Sequence, residues 1–137
     1  MQKLTLIFLL VFSSVFISSA QDSFDPDELL LEARDLILDG KYQAGRKIAF
    51  RALDRYPTYA DILILVGRSY AWEGKNDSAS IYLDRAIVAS PQYADGYVAY
   101  LDNLFWSDNL TKAEEILKIA KDNLGTPIPD PVVYRES

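Results

Sequence analysis

The chain has 137 residues, a formal net charge of −6 and half of its residues hydrophobic, with neither cysteine nor histidine. The missing residue types exclude a disulfide framework, thiol nucleophiles, soft metal ligands and the commonest general base. The acidic balance argues against nucleic acid and anionic membrane surfaces as partners, since both need clustered Lys and Arg. Carboxylates alone remain for catalysis and none forms a spaced pair in apolar surroundings, so the sequence predicts a non-enzymatic protein with no cofactor and no metal.

In chain order, Lys3 is the sole charge before an apolar run over residues 4–17, and Ser18-Ser19-Ala20 supplies small residues after it. This predicts a cleaved secretory signal, residues 1–20. The run is shorter than the roughly 20 residues a bilayer requires, so no integral span is expected after cleavage. The roughly 117 residues that follow are enough to bury a core by packing alone. Residues 21–25 form a lead-in. Asp25-Pro26-Asp27-Glu28 then opens a helix, with Asp25 as cap, Pro26 at the first helical position and Glu28 completing a capping box. Leu29, Leu30, Ala33, Leu36 and Ile37 give that helix one apolar face up to Asp39-Gly40. A second helix, about Gln43 to Arg55, carries Ile48, Ala49, Ala52 and Leu53 and stops before Pro57. Leu63, Val66, Gly67 and Tyr70 follow the i, i+3, i+4, i+7 rule on a third helix, and Ala79, Leu83 and Ala86 do so on a fourth. Glu73-Gly74-Lys75-Asn76 is the polar turn between them.

The chain repeats at a shift of 34 residues: Ala52, Ala86 and Ala120 align, as do Gly40 with Gly74, Pro57 with Pro91 and Trp72 with Trp106. Tyr59-Ala60-Asp61 recurs as Tyr93-Ala94-Asp95. The units are 26–59, 60–93 and 94–125, the last with its second helix opened by the capping box Thr111-Lys112-Ala113-Glu114. Gly45 stands where unit two has Ala79, Glu32 where it has Val66, and Leu101 where it has Gly67, so the outer units are expected to be less ideal than the middle one. Gly125 replaces the closing proline and residues 126–137 form a Pro-rich tail. No solvating helix follows the third unit. Its last helix is therefore expected to leave an apolar edge near Leu117 and Leu124, covered by residues 128–134 or by another chain.

Leu63, Gly67, Tyr70, Ala79, Leu83, Ala86 and Pro91 fall at the spacings of a tetratricopeptide (TPR) repeat, and the chain resembles that family. The resemblance implies an all-α right-handed α-solenoid of three helix-turn-helix units, with the first helix of each unit lining a concave groove. The implied groove residues are Asp27, Leu30, Arg34 and Ile37 in unit one; Asp61, Ile64, Arg68 and Trp72 in unit two; and Asp95, Val98, Asp102, Phe105 and Trp106 in unit three. Of these, Arg34, Arg68, Trp72, Phe105 and Trp106 are the candidate ligand-binding set. An aromatic with a polar edge suits a peptide side chain or a sugar face; equally, both tryptophans suit a core between units. The arginines suit a ligand carboxylate or a solvated face. Asp27, Asp61 and Asp95 read either as an acidic ladder for a basic partner or as carboxylates placed at helix N-termini. Asn76-Asp77-Ser78 and Asn109-Leu110-Thr111 fit the N-glycosylation pattern in the inter-helix turns.

The run Gly67-Arg68-Ser69-Tyr70-Ala71-Trp72-Glu73-Gly74-Lys75 behind a signal peptide is similar to the periplasmic TPR region that precedes the barrel in YaiO-like outer-membrane proteins of Gram-negative bacteria. Similar arrangements occur in secretion components for exopolysaccharides such as cellulose and poly-N-acetylglucosamine. The resemblance covers about residues 24–124 and implies a periplasmic scaffold that binds proteins or a glycan polymer beside a barrel partner. No alternating strand segments capable of building a barrel occur in this sequence. The expectation is a truncated product whose TPR half survives, or a stand-alone exported adaptor. The competing expectation is a structural subunit that oligomerises or docks through its uncapped C-terminal edge.

Overall fold

The computed structural model describes residues 24–125. The signal segment and the Pro-rich tail lie outside the described residues. Within them the chain is six helices and no strand: α1 (Pro26–Leu38), α2 (Tyr42–Arg55), α3 (Ala60–Trp72), α4 (Asn76–Ala89), α5 (Ala94–Trp106) and α6 (Leu110–Leu124). The local chemistry explains the boundaries. Asp25 Oδ1 accepts from the Asp27 N–H at 2.9 Å and Pro26 occupies the first turn of α1, where its missing N–H costs nothing. Gly40 and Gly74 end the first helix of units one and two with φ of 77° and 75°. Asp108 holds the same place in unit three at φ 54°, a conformation that an L-residue adopts only with some strain. At α6 the predicted capping box is displaced by two residues. The helix begins at Leu110 and its cap is Asn109, whose Oδ1 accepts from the Lys112 N–H at 3.2 Å, so Thr111 already lies inside the first turn.

Each unit is a helical hairpin, and successive hairpins stack into an α-solenoid. Along the inside α1 packs on α3 and α3 on α5, whereas the backbones of α2, α4 and α6 lie against their own partners, those of α2 and α4 also against the following first helix, and not against one another; α2 and α4 meet through the Phe50 and Tyr82 rings. That asymmetry curves the stack, with the first helices on the concave side.

The core is a seam in each hairpin where one helix offers a small residue and the other a large one. In unit two, a Cβ added to Gly67 would lie 2.5 Å from Leu83 Cγ. In unit one the sides are exchanged: a Cβ on Gly45 would lie 2.5 Å from Ile37 Cγ1 and 2.7 Å from the Ala33 carbonyl oxygen. Gly45 is therefore a fitted residue, not a departure from the ideal unit, because Ile37 fills the space that Leu83 fills next door. It follows that Ile37, expected in the groove, is core and fully buried. In unit three Leu101 replaces Gly67, and α5 and α6 lie closely apposed over less of their length than the other pairs.

Polar groups are buried at the junctions between units. Arg46 is 4 % exposed. It donates to Ser69 Oγ at 3.2 Å and to Glu73 Oε2 at 2.5 Å, and its guanidinium lies 4.0 Å from the centre of the Tyr70 ring. Thirty-four residues on, Asn103 Nδ2 donates to Ser80 Oγ at 3.0 Å and to the Asn76 carbonyl at 3.1 Å. Arg46 and a second bond from Lys75 hold the Glu73 carboxyl below its ordinary value.

The expected apolar C-terminal edge is only partly present. Leu117 and Leu124 are half-buried against the core. At the positions where α2 and α4 place buried Leu53 and Ile87 against the next unit, α6 carries an exposed lysine, Lys121. At that position the last helix is polar where α2 and α4 are apolar.

Replacing Gly45 with alanine is expected to destabilise the fold by about 2 to 3 kcal/mol, and replacing Gly67 by about 1 to 2 kcal/mol. Both changes gain some helix propensity, but the Leu83 side chain can turn aside whereas the Ala33 carbonyl cannot. Urea midpoints of the two variants test the order; a Gly45→Ala protein as stable as the parent contradicts the seam described above.

Candidate functional site: the concave groove

Residues four apart on a helix share one face. Leu30, Arg34 and Leu38 therefore form a stripe along α1, and Ile64, Arg68 and Trp72 a matching stripe along α3. The two stripes enclose a cleft of about 310 Å³, closed at one end by Asp61, Tyr93 and Asp95. Its floor is apolar, from the buried Leu30, Ile64 and Leu65, and its walls carry the two arginines. Among the described residues neither Arg34 nor Arg68 forms an ion pair. Beyond Arg68 the stripe continues on α5 with Asp102, whose carboxyl is raised by burial while the Arg68 charge pulls it the other way.

Trp72 is 41 % exposed and Trp106 59 % exposed, so neither is core between units. They stand at the same place in successive units, with Leu38, 67 % exposed, at that place in unit one. The structure brings Arg34, Arg68 and Trp72 together in the cleft; Trp106 lies further along the stack and does not line it. Phe105 is corrected: it is half-buried against the core. It occupies the position of Ile37 in unit one, one residue before the outward-facing Trp106, and one residue on a helix is a rotation of about 100°.

Two of the three aspartates, Asp27 and Asp61, have a role that neither expectation named. The Tyr59 hydroxyl donates to Asp27 Oδ1, and the Tyr93 hydroxyl donates to Asp61 Oδ1 at 2.7 Å. Each bond ties the start of one unit's first helix to the tyrosine at the N-cap of the next unit's first helix. The hydrogen bond to the aspartate, with burial adding to it, pushes both phenols up to about 12 from 10.0. The recurrence of Tyr-Ala-Asp in the sequence carried this signal, since each tyrosine follows the preceding aspartate by the same 32 residues. Asp95 has no such tyrosine; residue 127 is a proline.

No protein-family model matches this sequence, and no curated protein matches it. Among solved structures the chain is similar to the Sgt2 TPR domain from Aspergillus fumigatus, with a TM-score of 0.70 and 18 % sequence identity over 80 % of this chain and 72 % of that one. The likeness is one of fold: this chain is a TPR-like α-solenoid. No helix among the described residues is long and apolar enough to cross a membrane.

Because the folded-state values of Tyr59 and Tyr93 lie above the unfolded value, the stabilisation they supply is complete below pH 10 and is lost as pH rises from 10 to about 12. An ultraviolet absorbance titration should show these phenols ionising late, and Tyr59→Phe and Tyr93→Phe should each remove one late-titrating group. An unchanged alkaline titration in both variants rules out the bonds to Asp27 and Asp61.

Proposed function

We propose that this TPR-like solenoid is an exported scaffold whose concave groove holds an extended protein segment. One observation carries the reading: two arginines without ion-pair partners stand over an apolar floor beside an exposed tryptophan, in a cleft formed by rigid helices. Exposed Arg34, half-buried Arg68 and a half-exposed indole form no ion pair or core contact that accounts for their place in the cleft. They suit a partner that brings a carboxylate and an apolar side chain, and the preformed groove lowers the ordering cost of binding it. The fold supports this as a protein-interaction scaffold type. Placement in the periplasm, in an outer-membrane or polysaccharide-secretion assembly, rests on the signal-like first 20 residues and the run from Gly67 to Lys75. A glycan strand is the alternative occupant within the same groove. Lys121, exposed where α2 and α4 carry buried Leu53 and Ile87, gives less support to docking through the C-terminal edge.

Panning a displayed peptide library against the protein tests the groove. Selected peptides should lose about 10- to 100-fold in affinity for Trp72→Ala, as a central aromatic contact implies, and a smaller factor for Arg68→Ala. Both residues are outside the core, so circular dichroism should show each variant folded. Selected peptides that bind both variants as tightly as the parent place the interaction elsewhere.

A further inference from the structure

On the outside of the solenoid the exposed face of α2 meets Tyr70 of α3 and Lys75 of the following turn, and a shallow notch lies along that junction. It encloses about 430 Å³, within the range of ligand sites. Its walls carry Arg46, Lys47, Arg51 and Lys75 against one carboxylate, Asp54, in a chain whose net charge is −6. Arg46 and Lys75 are both committed to Glu73, whereas Lys47 and Arg51 are exposed and form no ion pair among the described residues. Phe50 and Tyr70 line the notch, and the aromatic surface continues through Tyr82, whose ring centre is 5.8 Å from Phe50 and 5.6 Å from Tyr70. This chemistry is not a general property of the stack. At a shift of 34, Lys47 becomes Ile81, Phe50 becomes Asp84, Gln43 becomes Asp77 and Lys75 becomes Asn109.

We propose that this notch is a second binding site, separate from the concave groove, for an extended acidic peptide segment. Lys47 and Arg51 are one turn apart on α2, about 6 Å along the axis. Alternate side chains of an extended peptide repeat at nearly the same interval, about 6.6 to 6.8 Å. Two alternate carboxylates therefore reach the two free cations at once, with the methylene stems of the acids lying against Phe50 and Tyr70. Arg46, fixed by Glu73 and Tyr70, keeps the floor of the notch from collapsing.

The test is fluorescence anisotropy of a labelled peptide of alternating glutamate and alanine. Binding to the parent protein should weaken with added salt. It should fall about tenfold or more in the double variant Lys47→Glu, Arg51→Glu, the loss expected for two solvent-facing ion pairs. Trp72→Ala should leave it unchanged, which separates this site from the groove. Absence of binding to the parent, binding that survives the double charge reversal, or tighter binding of an alginate oligomer than of the peptide at these residues each overturns the proposal; the last assigns the notch to an anionic glycan.

Discussion

The constraint on which the rest depends is the close approach of the two helices within each hairpin. Backbones can come together only where one of a facing pair of side chains is nearly absent, and the two chain segments must agree on which one. Unit two gives the space to Leu83 by making residue 67 a glycine; unit one gives it to Ile37 by making residue 45 a glycine. These are two solutions to one packing problem, and neither side can be changed alone. Once the hairpins close, the first helices are held side by side at a fixed spacing, and the stripes that form the groove come into register without further interactions.

That rigidity explains how a surface as polar as the groove can be preformed. Arg34 and Arg68 are separated from each other by the same repeat that separates their helices, so they present two cations over a buried apolar floor. The bond from Tyr93 to Asp61 lies at one end of the same cleft, and together with the bond from Tyr59 to Asp27 it fixes the start of a first helix against the next unit. The cleft and one of the inter-unit fastenings thus share one end of the solenoid's inner face. On the outer face the consequence is opposite: the second helices meet only through side chains such as Phe50 and Tyr82, and the surface beside each is free to differ in character from unit to unit.

The period, the six helices and the stripe along α1 and α3 were legible in the sequence because a shift of 34 and a helical period of 3.6 are both visible in residue types alone. What was not legible depended on one residue's worth of rotation or on a partner distant in sequence. Phe105 and Trp106 are adjacent aromatics, and no pattern in residue type says which faces the core. Ile37 looked like a groove residue until the space beside Gly45 was known to need it. Arg46 reads as a surface charge on an amphipathic helix; only the arrival of Glu73 and Ser69 from the next unit makes it a buried one. The capping of α6 was misplaced because Asn109 and Thr111 are both good caps, and the tightness of the preceding turn decides between them.

The two junctions between units are also unlike each other. Arg46 reaches Ser69 and Glu73 at the first; Ser80 meets Asn103 at the second, where Asn103 Oδ1 has no hydrogen-bond partner among the described residues. A chain made of similar hairpins risks stacking them in the wrong order while it folds, since the apolar seams are nearly interchangeable. If unit three were to settle on unit one, Arg46 would face Asn103 and Ser107, with no carboxylate to neutralise it. The buried pair therefore works as a key cut for one lock: it stabilises the correct neighbour only modestly, yet it makes the wrong neighbour costly, and so writes the order of the units into the assembly itself.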